Sequence, residues 1–119
     1  MLTDYIIFIK IIYTGFGYPG RDLLLTRSSD AVVLGCGRIG TIHEFTVAFE
    51  DRKPIGIFEG PWETSAELEE IIAKGHREKD NSKIVHDKDP KKIVAEVIDL
   101  VKKDKLEYRA SQQSTLPRQ

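Results

Sequence analysis

Short apolar runs alternate with amphipathic stretches along the chain. Four runs rich in β-branched and aromatic residues occupy positions 5–13, 31–36, 53–60 and 83–86. Runs of this length, bounded by glycine, proline or charged residues, predict β-strands. The run AVVLGC (31–36) has no polar side chain facing either side, which is typical of a central parallel strand buried on both faces.

The stretches between these runs carry apolar residues at helical spacing. They predict helices over 21–30, about 41–51 and 65–74, and a last helix that begins after Asp89 with Pro90 at its first position. Strands that alternate with helices favour a parallel sheet with helices packed on its faces. The predicted fold class is therefore α/β, with about four strands.

Local signals predict where the third helix and the domain end. Thr64 and Glu67 match a T-x-x-E capping box, and Gly75 stands where a C′ glycine belongs. We expect one domain over residues 1–106. The polar stretch 107–119 is expected to be a disordered tail.

Composition narrows the function classes. The chain has 119 residues, 18 basic against 19 acidic and a net charge of −1, so it predicts one domain without a nucleic-acid surface. Its single Cys36 favours a reducing compartment. The N-terminal run is interrupted by Lys10 and lacks a basic flank, so no targeting or membrane segment is expected. We predict a cytoplasmic protein with no membrane partner and, without metal-spaced ligands, no metal or cofactor.

A glycine-rich loop follows the strand at 31–36. The segment GCGRIGT (35–41) lies at the carboxyl end of that strand and just before a helix, where open α/β sheets bind ligands. The N–H groups of the helix's first turn and the positive end of its dipole suit a phosphate. Two interpretations stay open from the residues alone: a phosphate-binding loop, or a strand–turn–helix connection without a ligand.

Residues 14–58 carry several motifs in a fixed order. Arg21 is followed by Asp30 at the start of a strand, then by CGRIGTIHE (36–44) and by KP (53–54) before the next strand. In this register the segment resembles the LOG (LONELY GUY) proteins, often labelled as lysine decarboxylases, within a superfamily of Rossmann-like nucleotide-binding proteins. The resemblance implies a Rossmann-like sheet. It also implies that the chain corresponds to the C-terminal part of that fold, without the family's N-terminal β-α units.

The resemblance implies a phosphoribohydrolase, which cleaves the N-glycosidic bond of a nucleoside 5′-monophosphate. By position, Arg21 and Glu44 would act at the sugar. A carboxylate there can stabilise the positive charge of the ribose ring or orient the attacking water. The residues expected to bind the phosphate or nucleotide are Gly37, Arg38, Ile39, Gly40 and Thr41.

Two departures from the family pattern leave alternatives open. Arg38 replaces the second glycine of the motif, and Cys36 replaces its proline. An arginine at that position either obstructs the ligand or supplies a cation for a more anionic one. The alternatives to an enzyme are a non-catalytic carrier of a phosphorylated nucleotide or pterin-type cofactor, and a partial fold that binds nothing. A sheet edge left open by the absent units favours a homo-oligomer.

Overall fold

Four α-helices and three β-strands alternate along residues 11–115, the part of the chain that the computed structural model describes. A short 3₁₀ turn, Glu78–Lys83, precedes the last strand. The elements are α1 (Gly17–Ser28), β1 (Val32–Leu34), α2 (Ile39–Glu50), β2 (Ile55–Phe58), α3 (Thr64–Lys74), β3 (Ile84–Asp87) and α4 (Pro90–Thr115).

The three described strands form one parallel sheet in the order β1-β2-β3. Val32 pairs with Ile55, and Ile55 in turn pairs with Ile84. This arrangement confirms the α/β fold class and is consistent with part of a Rossmann-like fold. Most of the strand predicted at 5–13 lies outside the described residues, and residues 11–13 have no regular structure.

Both faces of the sheet are covered by helices. The core on the face of α2 and α3 is a single cluster of buried side chains: Leu34, Phe45, Ala48, Ile55, Ile57, Leu68 and Ile72. Helix α4 covers the other face with Ile93 and Val97. It approaches closely because Gly56 has no side chain, and a Cβ there would lie 2.8 Å from Val97 Cγ2. Burial on both faces explains the unbroken apolar character of β2. The prediction that the run 31–36 is a central strand buried on both faces is wrong for the described sheet, because β1 lies at its edge and Val33 is 46% exposed.

The ends of α3 differ from the sequence prediction. Glu63 is the N-cap residue of α3, and its side chain makes no capping hydrogen bond. The predicted capping box of Thr64 and Glu67 is therefore wrong. The Thr64 hydroxyl instead donates to the carbonyl oxygen of Gly37, in the loop that follows β1. Gly75 keeps a right-handed φ of −79°, and His76 takes the left-handed conformation at φ 55°.

Helix α4 begins as predicted but extends further. Asp89 Oδ1 accepts the Lys91 N–H at 2.9 Å, which confirms the cap ahead of Pro90. The helix continues to Thr115, whereas a disordered tail is expected from residue 107. No glycine or proline interrupts the chain between 107 and 115, so nothing local stops the helix. No helix within residues 11–115 is both long and apolar enough to cross a membrane.

A lysine between α2 and β2 fixes the end of α1. Lys53 Nζ donates hydrogen bonds to the carbonyl oxygens of Thr26 (3.0 Å), Arg27 (2.9 Å) and Ser29. These carbonyls lie at the C-terminus of α1, where the helix dipole favours a cation. The lysine of the KP motif is therefore a helix cap that holds α1 against the sheet.

Candidate functional site

The glycine loop joins β1 to α2 at the carboxyl end of the sheet, and Gly37 is turned into the protein. Its N–H donates to Thr64 Oγ1 at 3.3 Å, and the same hydroxyl donates to its carbonyl oxygen at 3.3 Å. A Cβ on Gly37 would overlap the side chain of Thr41. Glycine is thus required here for packing, and its N–H is already used within the protein.

The next residues face solvent. Arg38 is the N-cap of α2 with φ −125° and ψ −153°, an extended conformation that any residue adopts. The arginine that departs from the family pattern therefore causes no backbone strain. Ile39 is 83% exposed and Gly40 is exposed as well.

The first turn of α2 presents backbone donors at this surface. The Ile42 N–H bonds the Arg38 carbonyl at 3.2 Å, which is the first bond of the helix. The N–H groups of Ile39, Gly40 and Thr41 precede that bond and have no intrahelical acceptor. Together with the positive end of the dipole, they form a site that suits an anion.

Two neighbouring helices bring charged side chains to the same place. Arg21 and Asp22 lie on α1, and His43 and Glu44 lie on α2. His43 Nδ1 is 3.6 Å from Asp22 Oδ2. The helices approach closely at Gly40, where a Cβ would lie 3.4 Å from Asp22 Oδ2. The guanidinium of Arg21 is exposed and lies over the ring of Tyr18, 4.4 Å from its centroid.

The carboxyl of Glu44 is electrostatically coupled to its neighbours. Burial raises its pKa above the ordinary value of 4.5, and the charge of Asp22 and a hydrogen bond with the Asp22 carboxyl raise it further. His43 and Arg21 lower the pKa, but the sum is a raised value. Two carboxyls in contact resist being ionised together. Such a perturbed group beside an anion site marks a functional-site candidate.

The structure therefore groups the residues singled out from sequence. Arg21 is close enough to Glu44 to lower its pKa slightly. Helices α1 and α2, which carry these two residues, flank the glycine loop. Sequence reasoning missed Asp22 and assigned Thr64 a different partner. The adjacency of Asp22 to Arg21 is the one signal that pointed to the former, and no local signal pointed to the loop contact of Thr64.

A second group of polar side chains lies at the carboxyl ends of β2 and β3. His86 Nδ1 is 3.4 Å from Glu59 Oε1, and its Nε2 is 3.6 Å from Glu69 Oε1. Trp62 packs on Phe58 with ring centroids 5.4 Å apart. Within residues 11–115 no cluster of three or more His, Cys, Asp or Glu side chains is arranged to hold a metal ion.

Comparison with protein families identifies the group to which this site belongs. Residues 5–94 match the model of the SLOG cluster4 family. The chain belongs to the SLOG cluster4 family. The SLOG superfamily includes LOG-like proteins of Rossmann type, so the resemblance is supported at that level. Membership indicates a nucleotide-related role, in binding or modification. Comparisons with curated proteins and with solved structures find no match.

Proposed function

We propose that this SLOG protein binds a nucleoside 5′-monophosphate at the N-terminus of α2 and hydrolyses its N-glycosidic bond. The observation that carries the proposal is the convergence of Arg21 and Glu44, from two helices, beside the first turn of α2. Burial and Asp22 raise the pKa of Glu44, and the positive charge of Arg21 is close enough to oppose that rise by a smaller amount.

In this proposal the phosphate meets the exposed amides that precede the first helical bond of α2. The Gly37 N–H bonds Thr64, so Gly37 shapes the loop, and the N–H groups of Ile39, Gly40 and Thr41 face the phosphate. The side chain of Arg38 adds a cation at the same helix terminus.

The chemistry follows from the charge that develops on the sugar. As the bond from C1′ to the base breaks, the ribose ring becomes positively charged and water adds at C1′. The ionised Glu44 carboxylate stabilises that charge or orients the water, and Arg21 holds a ribose or phosphate oxygen through its planar guanidinium. The products are the free base, which takes a proton, and ribose 5-phosphate.

The raised pKa of Glu44 gives this mechanism a pH dependence. Only the ionised carboxylate can stabilise the cationic ring, and ionisation is completed above the ordinary value of 4.5 because burial and Asp22 oppose it. We therefore expect the hydrolysis rate to rise with pH through a range above 4.5.

A carrier without turnover is the second candidate, and Arg38 favours it. An exposed arginine at the helix N-terminus adds a charge that a monophosphate does not require. A more anionic phosphorylated nucleotide or a phosphorylated pterin-type cofactor would use it.

Substitution of Glu44 separates the two candidates. Wild-type protein is incubated with AMP and GMP, with thermal unfolding as the binding readout and released base as the activity readout. We expect Glu44→Gln to lower the rate of base release by about a hundredfold or more and to leave the ligand-induced rise in Tm unchanged. The reason is that glutamine keeps the shape of the side chain but not its negative charge. Glu96→Gln, an exposed acid on α4, is the matched control.

A ligand-induced rise in Tm without base release from wild type would favour the carrier. No rise in Tm with AMP, GMP or ribose 5-phosphate would contradict binding of a nucleoside monophosphate at this loop.

A further inference from the structure

The glycine loop is held by one buried hydroxyl from another element. Thr64 is 5% exposed and lies 27 positions after Gly37. A hydroxyl carries one proton and two lone pairs, so Oγ1 can accept the Gly37 N–H and donate to the Gly37 carbonyl at once. Because α3 receives no side-chain cap at its N-terminus, this hydroxyl serves the loop and not its own helix.

The two bonds determine which way the next peptide group points. The Gly37 carbonyl and the Arg38 N–H belong to one planar peptide, and no cis peptide is present among the described residues. In a trans peptide these two groups point in opposite directions. Since Thr64 holds the carbonyl toward α3, the Arg38 N–H is turned away from α3, toward the exposed side of the loop.

We infer that Thr64 is a positioning residue of the anion site: it fixes the Gly37–Arg38 peptide so that the Arg38 N–H joins the first-turn amides of α2 in binding a phosphate. The inference rests on the proposed function for its ligand, and on the two hydrogen bonds for its geometry. Thr64 itself does not touch the ligand.

Substitution of Thr64 by valine and by serine separates the effect of the hydroxyl from the effect of side-chain volume. Thr64→Val keeps the volume of the side chain and removes both hydrogen bonds, whereas Thr64→Ser keeps the hydroxyl. Ile72→Val, a buried change on the same helix, is the control for a general loss of stability.

Amide hydrogen exchange in the free protein tests the clamp without any ligand. We expect the Gly37 amide to exchange about tenfold faster in Thr64→Val than in wild type, and to keep its protection in Thr64→Ser and Ile72→Val. Calorimetric titration with ribose 5-phosphate tests the positioning role. Affinity should fall about tenfold in Thr64→Val and be restored in Thr64→Ser.

Unchanged Gly37 exchange in Thr64→Val, or equal losses of affinity in the valine and serine variants, would overturn the inference. If wild type binds neither ribose 5-phosphate nor AMP, the proposed function fails and the positioning role fails with it. The exchange rate of Gly37 would still report whether the clamp exists, so the two failures are distinguishable.

Discussion

The two ends of the sheet both carry charged side chains, and they differ in how those side chains are used. At the amino end, a cavity of about 370 Å³ is lined by several cations. Lys53 caps α1, Lys83 Nζ lies 3.0 Å from the Asp104 carboxylate, and Lys105 Nζ lies 3.3 Å from Asp30. These three cations are occupied by partners within the protein.

At the carboxyl end the charges are less well matched. Among the described side chains Arg38 has no ion pair. Glu44 shares its surroundings with a second carboxyl, Asp22. The cavity at the amino end therefore lies where lysine side chains hold helices and strands together. At the carboxyl end Arg38 remains available to a ligand beside the perturbed Glu44 carboxyl, so the balance of charge distinguishes the two ends of the sheet.

The strongest test of this comparison is a methyl group on Gly37. In Gly37→Ala the new Cβ would overlap both the hydroxyl and the Cβ of Thr41, so rotation of the threonine side chain cannot relieve the clash. The loop or the first turn of α2 must shift. We expect a loss of about 2–3 kcal/mol in the free energy of unfolding, measured by urea denaturation, together with loss of ribose 5-phosphate binding.

Gly40→Ala is the matched control in the same loop. Its new Cβ would lie 3.4 Å from Asp22 Oδ2, an ordinary contact, and alanine favours the helix. We expect a change in stability within about 1 kcal/mol. Equal losses for the two alanine variants would show that the loop is not shaped by Gly37.

At the amino end, we expect the free energy of unfolding to fall when the helix cap of Lys53 is removed and to stay nearly unchanged when the surface ion pair of Lys105 is removed. Lys53→Met removes the donor to three carbonyls at the end of α1 and should cost about 2 kcal/mol in urea denaturation. Lys105→Met removes an exposed pair with Asp30 and should cost less than about 0.5 kcal/mol. Ligand binding at the far end should persist in both. Similar losses for the two variants would contradict the assignment of Lys53 as a cap.

Much of the fold is predictable because its signals are local. The apolar runs at 31–36, 53–60 and 83–86 all contain strands, since strands that pack against helices need apolar side chains, and β2, the most buried strand, has the most continuous apolar sequence. Asp89 and Pro90 mark the start of α4 through contacts within one turn. The prediction of a capping box at Thr64 is wrong for the opposite reason. The Thr64 hydroxyl bonds Gly37, and these two residues are close to each other only in the folded protein.

The residues of the candidate site also fall into those that local sequence patterns predict and those that only packing brings together. Arg21 and Glu44 could be selected because each occupies a motif position in a fixed register. For Asp22 the only local signal is its position beside Arg21, and that signal is too weak to select it, because an acid beside an arginine on a helix is ordinarily solvated. The close approach of α1 to α2 at Gly40 leaves its side chain only 15% exposed. Contacts between elements depend on how the helices pack, which no local pattern encodes.

The smallest expected effect concerns stability and pH at Glu44. The raised pKa means that the folded protein holds this proton more tightly than the unfolded chain. The free energy of unfolding therefore falls as pH rises from the ordinary value of 4.5 through the folded-state pKa. Glu44→Gln does not titrate, so its stability relative to wild type should rise across that window and then level off. Urea denaturation at several values between about pH 4 and pH 8 measures this difference. A difference that does not vary with pH, or one shared by Glu96→Gln, would mean that the carboxyls at the carboxyl end are as well accommodated as those at the amino end.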